Sequence, residues 1–287
     1  MHINKKDYRQ QLKNYTQHPF SFLLLLFVVS SAIITAFIIA FIILYILVKG
    51  VPHITPSLFS FNYNTTNVSL FPAIINTVII TGLSLLIAVP FGVFTSVYLV
   101  EYANKKNKIV GLVRLTAETL SGIPSIVYGL FGMLFFVTTL GLGFSILAGA
   151  LTISIMILPL IIRSTEEALK SVPDSFREAS FGLGCGRMRT IFKIVLPSAM
   201  PGILAGTILA VGRIVGETAA LVYTAGTVAQ IPENLLSSGR TLAIHMYSLS
   251  SEGLYTDQAY ATAVVLLVIV LCINMFSSLI AKKLMKG

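Results

Sequence analysis

The sequence predicts an all-α integral membrane protein with six transmembrane helices. Of its 287 residues, 55% are hydrophobic and only 11% are charged, whereas soluble domains carry about one quarter charged residues. Uncharged runs recur along the chain, and each is long enough to cross a bilayer, which takes about 20 residues per helix. Composition, the length of these runs and the charges between them together indicate the fold class.

The first two spans are separated by a polar loop. Residues 22–48 carry no charge, and this run is too long for the apolar region of a signal peptide, so we interpret it as an anchor. Residues 49–70 contain prolines and an Asn/Thr cluster and form an external loop. The second span covers residues 71–100, where Pro90 favours a kink.

The interval between Glu118 and Arg163 carries no charge and accommodates two more spans. A tight turn at residues 141–143, Gly-Leu-Gly, joins them, and Pro124 and Pro159 interrupt them. The remaining two spans cover about residues 199–223 and residues 260–280.

Basic residues fix the expected orientation. All but three of the 20 Lys and Arg residues fall on segments that lie on one side when both termini are placed inside. The exceptions are Lys49 and Arg240 outside and Arg213 within a span. Because cytoplasmic loops are rich in Lys and Arg, we expect a multi-pass protein of the cell membrane with both termini cytoplasmic.

Composition also excludes several classes. The net charge of +9 comes from short basic clusters beside apolar runs, which indicates a lipid bilayer as the partner and no nucleic acid. Cys185 and Cys272 are too few and too far apart for a disulfide framework, and no metal-ligand spacing occurs. We therefore expect no metal, no cofactor and no catalytic residue.

A short charged helix precedes three closely spaced glycines. Phe176, Ala179 and Ser180 share one small or apolar face at helical spacing, while Arg177 and Glu178 point elsewhere. Glycines 182, 184 and 186 end this helix. Such a helix at the mouth of a membrane bundle suits docking in a groove of a soluble partner. The alternative is a basic cytoplasmic loop that only follows topology rules.

Residues 178–197 resemble the EAA loop of ABC importer permeases. Its pattern is EAA, three residues, Gly, nine residues, Ile, one residue and Leu-Pro. Ser180 replaces the third residue of EAA. The resemblance implies that Glu178, Ala179 and Gly184 couple the chain to an ATPase. The matching anchors are Glu178, Ala179, Gly184, Ile194, Leu196 and Pro197.

Two opposite charges lie inside the fifth span. Arg213 and Glu217 are four residues apart, so a continuous helix places them on one face. Each costs about 2.5–3.5 kcal/mol at the bilayer centre and must face protein or water. One alternative is a self-satisfied pair that joins helices. The other is a pathway lining, in which Arg213 binds an oxyanion bidentately and Glu217 accepts a hydrogen bond from a protonated P–OH.

Small residues of the same span predict close helix contacts. Gly202 with Gly206 and Gly212 with Gly216 form two Gly-x-x-x-Gly pairs. Each pair is expected to let a neighbouring helix approach.

Three further charges flank the spans. Arg114 and Glu118 have the same four-residue spacing near the cytoplasmic start of the third span, where they either reach the interface or act as a gate. Arg163, at the cytoplasmic end of the fourth span, is either an inside anchor or a pathway residue.

Three more segments, residues 90–103, 118–132 and 213–221, resemble the PstA family of phosphate ABC importer permeases. The resemblance covers roughly residues 71–281. It implies a type I ABC importer (MetI-like) permease fold, with the EAA coupling loop at about 163–197. Residues 1–70 then form a tail, the first helix and an external loop, and residues 282–287 a cytoplasmic tail.

This resemblance also implies partners and roles. The partners are a PstC-like second permease subunit, two copies of a PstB-like ATPase and a PstS-like extracytoplasmic phosphate-binding protein. Arg213 and Arg163 are implicated in phosphate movement and Glu217 is a participant, while Arg114 and Glu118 stay candidates for a gate.

Energy must come from another chain, since no G-x-x-x-x-G-K-[ST] loop occurs. A secondary anion transporter is the rival class, but it predicts paired repeats and gives no reason for a docking helix. A structural scaffold would use Arg213 and Glu217 only to join helices. Within ABC importers, the alternative substrate is another oxyanion or a phosphonate.

Overall fold

The computed structural model describes residues 19–104 and 108–284. All regular structure in these two ranges is helical. Segments of π-helix cover Tyr98–Tyr102, Met133–Thr139 and Ile191–Val195. Residues 1–18 and 285–287 of the two predicted tails lie outside the described ranges, and the last helix continues to Leu284, into the predicted tail at 282–287. The α-helices are α1 (Pro19–Gly50), α2 (Phe71–Val97), α3 (Lys108–Ser121), α4 (Ser125–Gly132), α5 (Ile146–Lys170), α6 (Asp174–Gly182), α7 (Arg187–Thr190), α8 (Leu196–Val215), α9 (Ala219–Val222), α10 (Leu242–Glu252) and α11 (Thr256–Leu284).

The parallel pair α2 and α5 forms the centre of the bundle. The fully buried Ser84 donates its hydroxyl to the carbonyl of Ala150 at 3.2 Å, and further along both helices Ser96 donates to the carbonyl of Ile162 at 2.8 Å. Contacts of this kind need small side chains at the interface. We call the end where α2 and α5 finish the loop end, because α6 and α7 lie there, and the opposite end the far end.

Helix α8 packs antiparallel against α5 through glycine. A side chain at Gly202 would touch Ala168, and one at Gly206 would overlap Ser164. The first predicted glycine pair is therefore confirmed as a close contact. The expectation for the second pair is wrong in the described part of the chain, since nothing lies within 4 Å of a Cβ added at Gly212.

The third span is broken. Helix α3 and the α4 segment are bent by 103° at the interval between Ser121 and Ser125. Pro124 lies in this break with extended backbone and precedes α4, so the interruption predicted there is confirmed. The interruption predicted at Pro159 is wrong, because Pro159 lies within the continuous helix α5. Five long apolar helices and this bent pair make up the six predicted spans.

The structure confirms one predicted glycine turn and corrects the predicted end of the fifth span. The predicted turn between the third and fourth spans is confirmed, because Gly141 and Gly143 have φ of 68° and 62°, values that favour glycine. The predicted end of the fifth span is wrong. Helix α8 ends at Val215, Gly216 caps it, and α9 begins only at Ala219.

The contact at Gly206 yields a test of the packing. Replacing Gly206 with Leu forces α8 away from Ser164, because the added side chain has no space. Overpacking of this kind costs about 1–3 kcal/mol. We expect a lower midpoint of thermal unfolding for the detergent-solubilised protein.

Gly82 of α2 provides the matched control, because nothing lies within 4 Å of a Cβ added there. Gly82→Leu is expected to leave the midpoint near that of the native protein. Equal midpoints for the two variants would contradict the close approach of α5 and α8.

Candidate functional site

Helix α6, the predicted docking helix, lies at the loop end, and its motif residues are exposed. Glu178 and Ala179 face outward, and Gly184, just after the helix, has φ of 78°. That conformation favours glycine. The predicted stop after Gly182 is confirmed.

Ser180, the departure from the EAA pattern, is buried. Its hydroxyl shares a hydrogen bond of 2.8 Å with the hydroxyl of Thr190 in α7. An alanine at this position could not make this bond. The substitution therefore joins α6 to the start of the long helical segment that continues into α8.

Arg177 fastens α6 to the end of α2. Its Nη2 lies 2.7 Å from Oε1 of Glu101, and its Nη1 donates to the carbonyl of Val172 at 2.8 Å. The side chains of Arg177 and Glu101 are only 15% and 9% exposed. Arg177 also pairs at 3.1 Å with Asp174, which is 87% exposed. The guanidinium therefore turns back into the bundle while Glu178 faces outward.

A charged cavity of about 210 Å³ lies beside α3 and α5 at the loop end. It brings together three predicted residues, Arg114, Glu118 and Arg163. Arg114 does not pair with Glu118 as its spacing suggests; its Nη2 lies 2.7 Å from Oε1 of Glu166. Lys170 lies at the same distance from that oxygen, and Arg163 pairs with the exposed Glu167 at 3.2 Å. The cavity is lined by Arg114, Ala117, Glu118, Ile162, Arg163, Glu166, Glu167 and Lys170.

Glu166 was missed by the sequence reasoning. Its side chain is 10% exposed, so it is the buried anion that balances Arg114 and Lys170. The four-residue spacing of Glu166 and Lys170 on one helix face was an available signal. The contact with Arg114 on α3 could not be predicted from the sequence, because it depends on tertiary structure.

Arg213 lines a second cavity, of about 550 Å³, between α5, α8 and α11. It occupies the last turn of α8. Within residues 19–104 and 108–284, no carboxylate lies at ion-pair distance from its guanidinium, and no hydrogen bond to it is present. The cavity is lined by Leu160, Ala205, Ile208, Leu209, Gly212, Arg213 and Asn274.

Glu217 has a different role from the one that its spacing predicts. Because α8 ends at Val215, Glu217 and Arg213 do not share a helical face. The Glu217 side chain is buried, and its Oε1 accepts a hydrogen bond from the N–H of Ala220 at 3.1 Å. The carboxylate thus satisfies a free backbone group at the start of α9. The alternative of a self-satisfied Arg213–Glu217 pair is wrong.

Asn274 is a second polar residue at the Arg213 cavity. It lies on α11, the sixth span, and the described residues contain no hydrogen-bond partner for its amide. An amide in an apolar span is costly unless it faces polar surroundings. That placement was the sequence signal that could have identified it.

The comparisons with known proteins agree on one family. Residues 88–286 match the family described as binding-protein-dependent transport system inner membrane component. The probable ABC transporter permease protein YqgI of Bacillus subtilis is 36% identical over 266 residues, which cover 83% of this chain and 88% of that protein. The phosphate transport system permease protein PstA of Haemophilus influenzae is 32% identical over 274 residues, 94% of this chain and 96% of that protein.

Solved structures of two transporters share the fold. The alginate ABC transporter in complex with its alginate-bound periplasmic protein matches with a TM-score of 0.63 and 19% identity, over 95% of this chain and 98% of that one. The inward-facing MetNI methionine ABC transporter matches with a TM-score of 0.58 and 20% identity, over 75% and 94%. With its apolar helices, the protein is a multi-pass membrane protein with the MetI-like permease fold. The chain belongs to the family of binding-protein-dependent transport system inner membrane components.

Proposed function

We propose that the chain is the membrane-spanning permease subunit of an ATP-driven importer of inorganic phosphate. The observation that carries the proposal is the unpaired Arg213 in a membrane cavity, in a chain that aligns over 94% of its length with a PstA protein. Arg213 is half-buried, and a cation without a counter-charge inside a membrane is a functional feature by default. In this proposal, Arg213 binds the anion as it crosses the membrane.

The chemistry at this cavity suits a tetrahedral oxyanion. The planar guanidinium of Arg213 offers two parallel N–H groups to two oxygens. Asn274 can donate to a third oxygen or accept a hydrogen bond from P–OH, a proton that sulfate lacks at neutral pH. Glu217 contributes in this proposal by holding the break after α8, since its Oε1 is engaged with Ala220.

The loop-end cavity serves as the exit. Arg163 is accessible there and receives the anion, while Arg114 and Glu118 stand on α3 at the opposite wall. Glu166 holds Arg114 at 2.7 Å. A gate at this point opens when α3 separates from α5 and that ion pair breaks.

Partner chains supply the energy and the substrate. Glu178, Ala179 and Gly184 present α6 to a PstB-like ATPase, of which two copies are needed. A PstC-like permease completes the pathway, and a PstS-like binding protein delivers phosphate at the far end. The distribution of Lys and Arg supports a cell-membrane location with both termini in the cytoplasm.

Substitution of Arg213 tests the pathway. Because a charge-assisted hydrogen bond contributes about 1.5–3 kcal/mol, Arg213→Gln is expected to lower kcat/KM for phosphate uptake roughly 10- to 100-fold. Arg213→Lys keeps the charge but loses the two parallel N–H groups of the guanidinium, so its kcat/KM is expected to lie between those of the native protein and Arg213→Gln. Uptake is measured in proteoliposomes that contain the four components, with sulfate and a phosphonate as competitors.

Lys49→Gln is the control for loss of one positive charge, because Lys49 is exposed and does not line the cavity. It is expected to transport normally. Native uptake by Arg213→Gln in an assembled complex would refute the pathway. Uptake inhibited by the phosphonate as strongly as by unlabelled phosphate would point to a broader substrate class.

Substitution of the two carboxylate partners of Arg177 tests whether α6 acts on the bundle through α2. Glu101→Gln removes the 9% exposed partner, and breaking a buried ion pair costs about 3–5 kcal/mol. Asp174→Asn removes the 87% exposed partner, and such a surface pair contributes about 0–1 kcal/mol. We expect Glu101→Gln to retain ATP hydrolysis with little uptake, and Asp174→Asn to keep both.

ATP hydrolysis and phosphate uptake are measured on the same proteoliposomes, so that their ratio reports coupling. The exchange of both charges, Glu101→Arg with Arg177→Glu, should restore part of the uptake. A native ratio for Glu101→Gln would show that α6 does not act through α2.

A further inference from the structure

A buried polar cluster lies at the far end, away from both cavities described above. Arg240 is 5% exposed, and its Nε and Nη2 have no hydrogen-bond partner. His245, at the start of α10, is fully buried, and neither ring nitrogen has a partner. Buried polar groups without protein partners are rare, and binding of a water or an ion is one physical reason for them.

The cluster has a positive charge without a counter-charge. In the two described ranges, no carboxylate lies within ion-pair distance of Arg240. Its Cζ lies 4.6 Å from the centre of the Tyr63 ring, so the cation faces an aromatic ring. This contact stabilises the charge, but it leaves the in-plane N–H groups of the guanidinium unsatisfied.

His245 contributes a neutral ring to the same place. Burial, and secondarily the charge of Arg240, lower the pKa of His245 from 6.5 to about 3. The nearby backbone of Val68 opposes this shift in the pKa. The neutral imidazole offers one N–H donor. The His245 and Tyr63 rings lie edge to face, 6.2 Å apart.

The surrounding backbone holds Arg240 in place. Asn76 of α2 donates its amide to the carbonyls of Arg240 and Gln230, both at 3.1 Å. The N–H of Arg240 donates to the carbonyl of Val228 at 2.9 Å. With these bonds fixing the chain on both sides, the guanidinium is directed inward although its charge is uncompensated.

The loop that covers the cluster carries backbone strain. Val68 has φ of 45°, which is rare for a β-branched residue, and its side chain is buried. Asn64 and Asn67 hold the loop through hydrogen bonds to neighbouring N–H groups, including Asn64 Oδ1 with the N–H of Asn67 at 2.7 Å. Strain of this kind persists only where the surroundings impose it, and it clusters at binding sites.

We propose that a small inorganic anion binds between Arg240 and His245, beneath Tyr63. The donors are Nε–H and Nη2–H of Arg240 and the one N–H of the His245 ring. Chloride and phosphate share the required chemistry, since each is a small anion that accepts several N–H groups. The site is separate from the Arg213 cavity, so it does not depend on the proposed substrate.

Anion-dependent thermal unfolding of the assembled, detergent-solubilised complex tests the site. The protein is held in sodium gluconate, whose anion is bulkier than chloride or phosphate, and is titrated with sodium chloride or sodium phosphate. A ligand that binds only the folded state raises the unfolding midpoint with concentration. We expect one of the two anions to raise it, and Arg240→Gln to weaken its apparent affinity at least tenfold.

Two controls separate this site from other effects of salt. Lys49→Gln removes an exposed cation and should respond as the native protein does. The second control is the chloride titration itself: because the proposed substrate is phosphate, a response to chloride that Arg240→Gln weakens does not come from the Arg213 pathway. A native complex that responds to neither anion, or an Arg240→Gln complex that responds as strongly as the native one, would overturn the proposal.

A second measurement covers the case in which Arg240→Gln fails to fold. Crystals of the native complex are soaked in sodium bromide, and the anomalous scattering of bromide is located. A peak between Arg240 and His245 is expected. Bromide elsewhere in the complex with no peak at this position would reject an anion there.

Discussion

The structure depends on one constraint of the bilayer, which is that polar groups inside it must find partners within the protein. The α2–α5 contact meets this constraint with serine hydroxyls that bond to main-chain carbonyls of the facing helix. Ser84 and Ser96 of α2 do so, and Ser154 of α5 returns a bond to the carbonyl of Ser84. Since α8 then joins α5 through Gly202 and Gly206, three helices form a close-packed centre.

Three places along the bundle differ from this centre, because cations there either have no carboxylate partner or share one. Arg240 is buried and unpaired at the far end. Arg213 is unpaired at a cavity beside α5 and α11. Arg114 and Lys170 share the one carboxylate of Glu166 at the loop end. At Arg240 and Arg213 the described residues thus leave positive charge without a carboxylate partner, and these are the two places where the proposed anions bind.

Sequence reasoning succeeded where the determinants are local. The helix stop at Gly182, the turn at Gly141 and the close contact at Gly206 each follow from residues near in sequence. It failed where a distant partner decides the outcome, because the Arg177–Glu101 and Arg114–Glu166 pairs depend on the fold. The prediction of a continuous helix beyond Val215 failed for a different reason. An apolar run with one Glu looks continuous, although that Glu caps a new helix.

These contacts also determine how movement of the docking helix reaches the proposed pathway. Arg177 ties α6 to the end of α2, hydroxyl bonds tie α2 to α5, and glycine contacts tie α5 to α8. Close-packed elements of this kind move as a body rather than deform. We expect movement instead at the breaks in the helices, between α8 and α9 and at the 103° bend before α4. Arg213 lies in the last turn before the first of these breaks. We therefore expect displacement of α6 to change the position of the Arg213 guanidinium relative to α9 and α4 more than relative to α5.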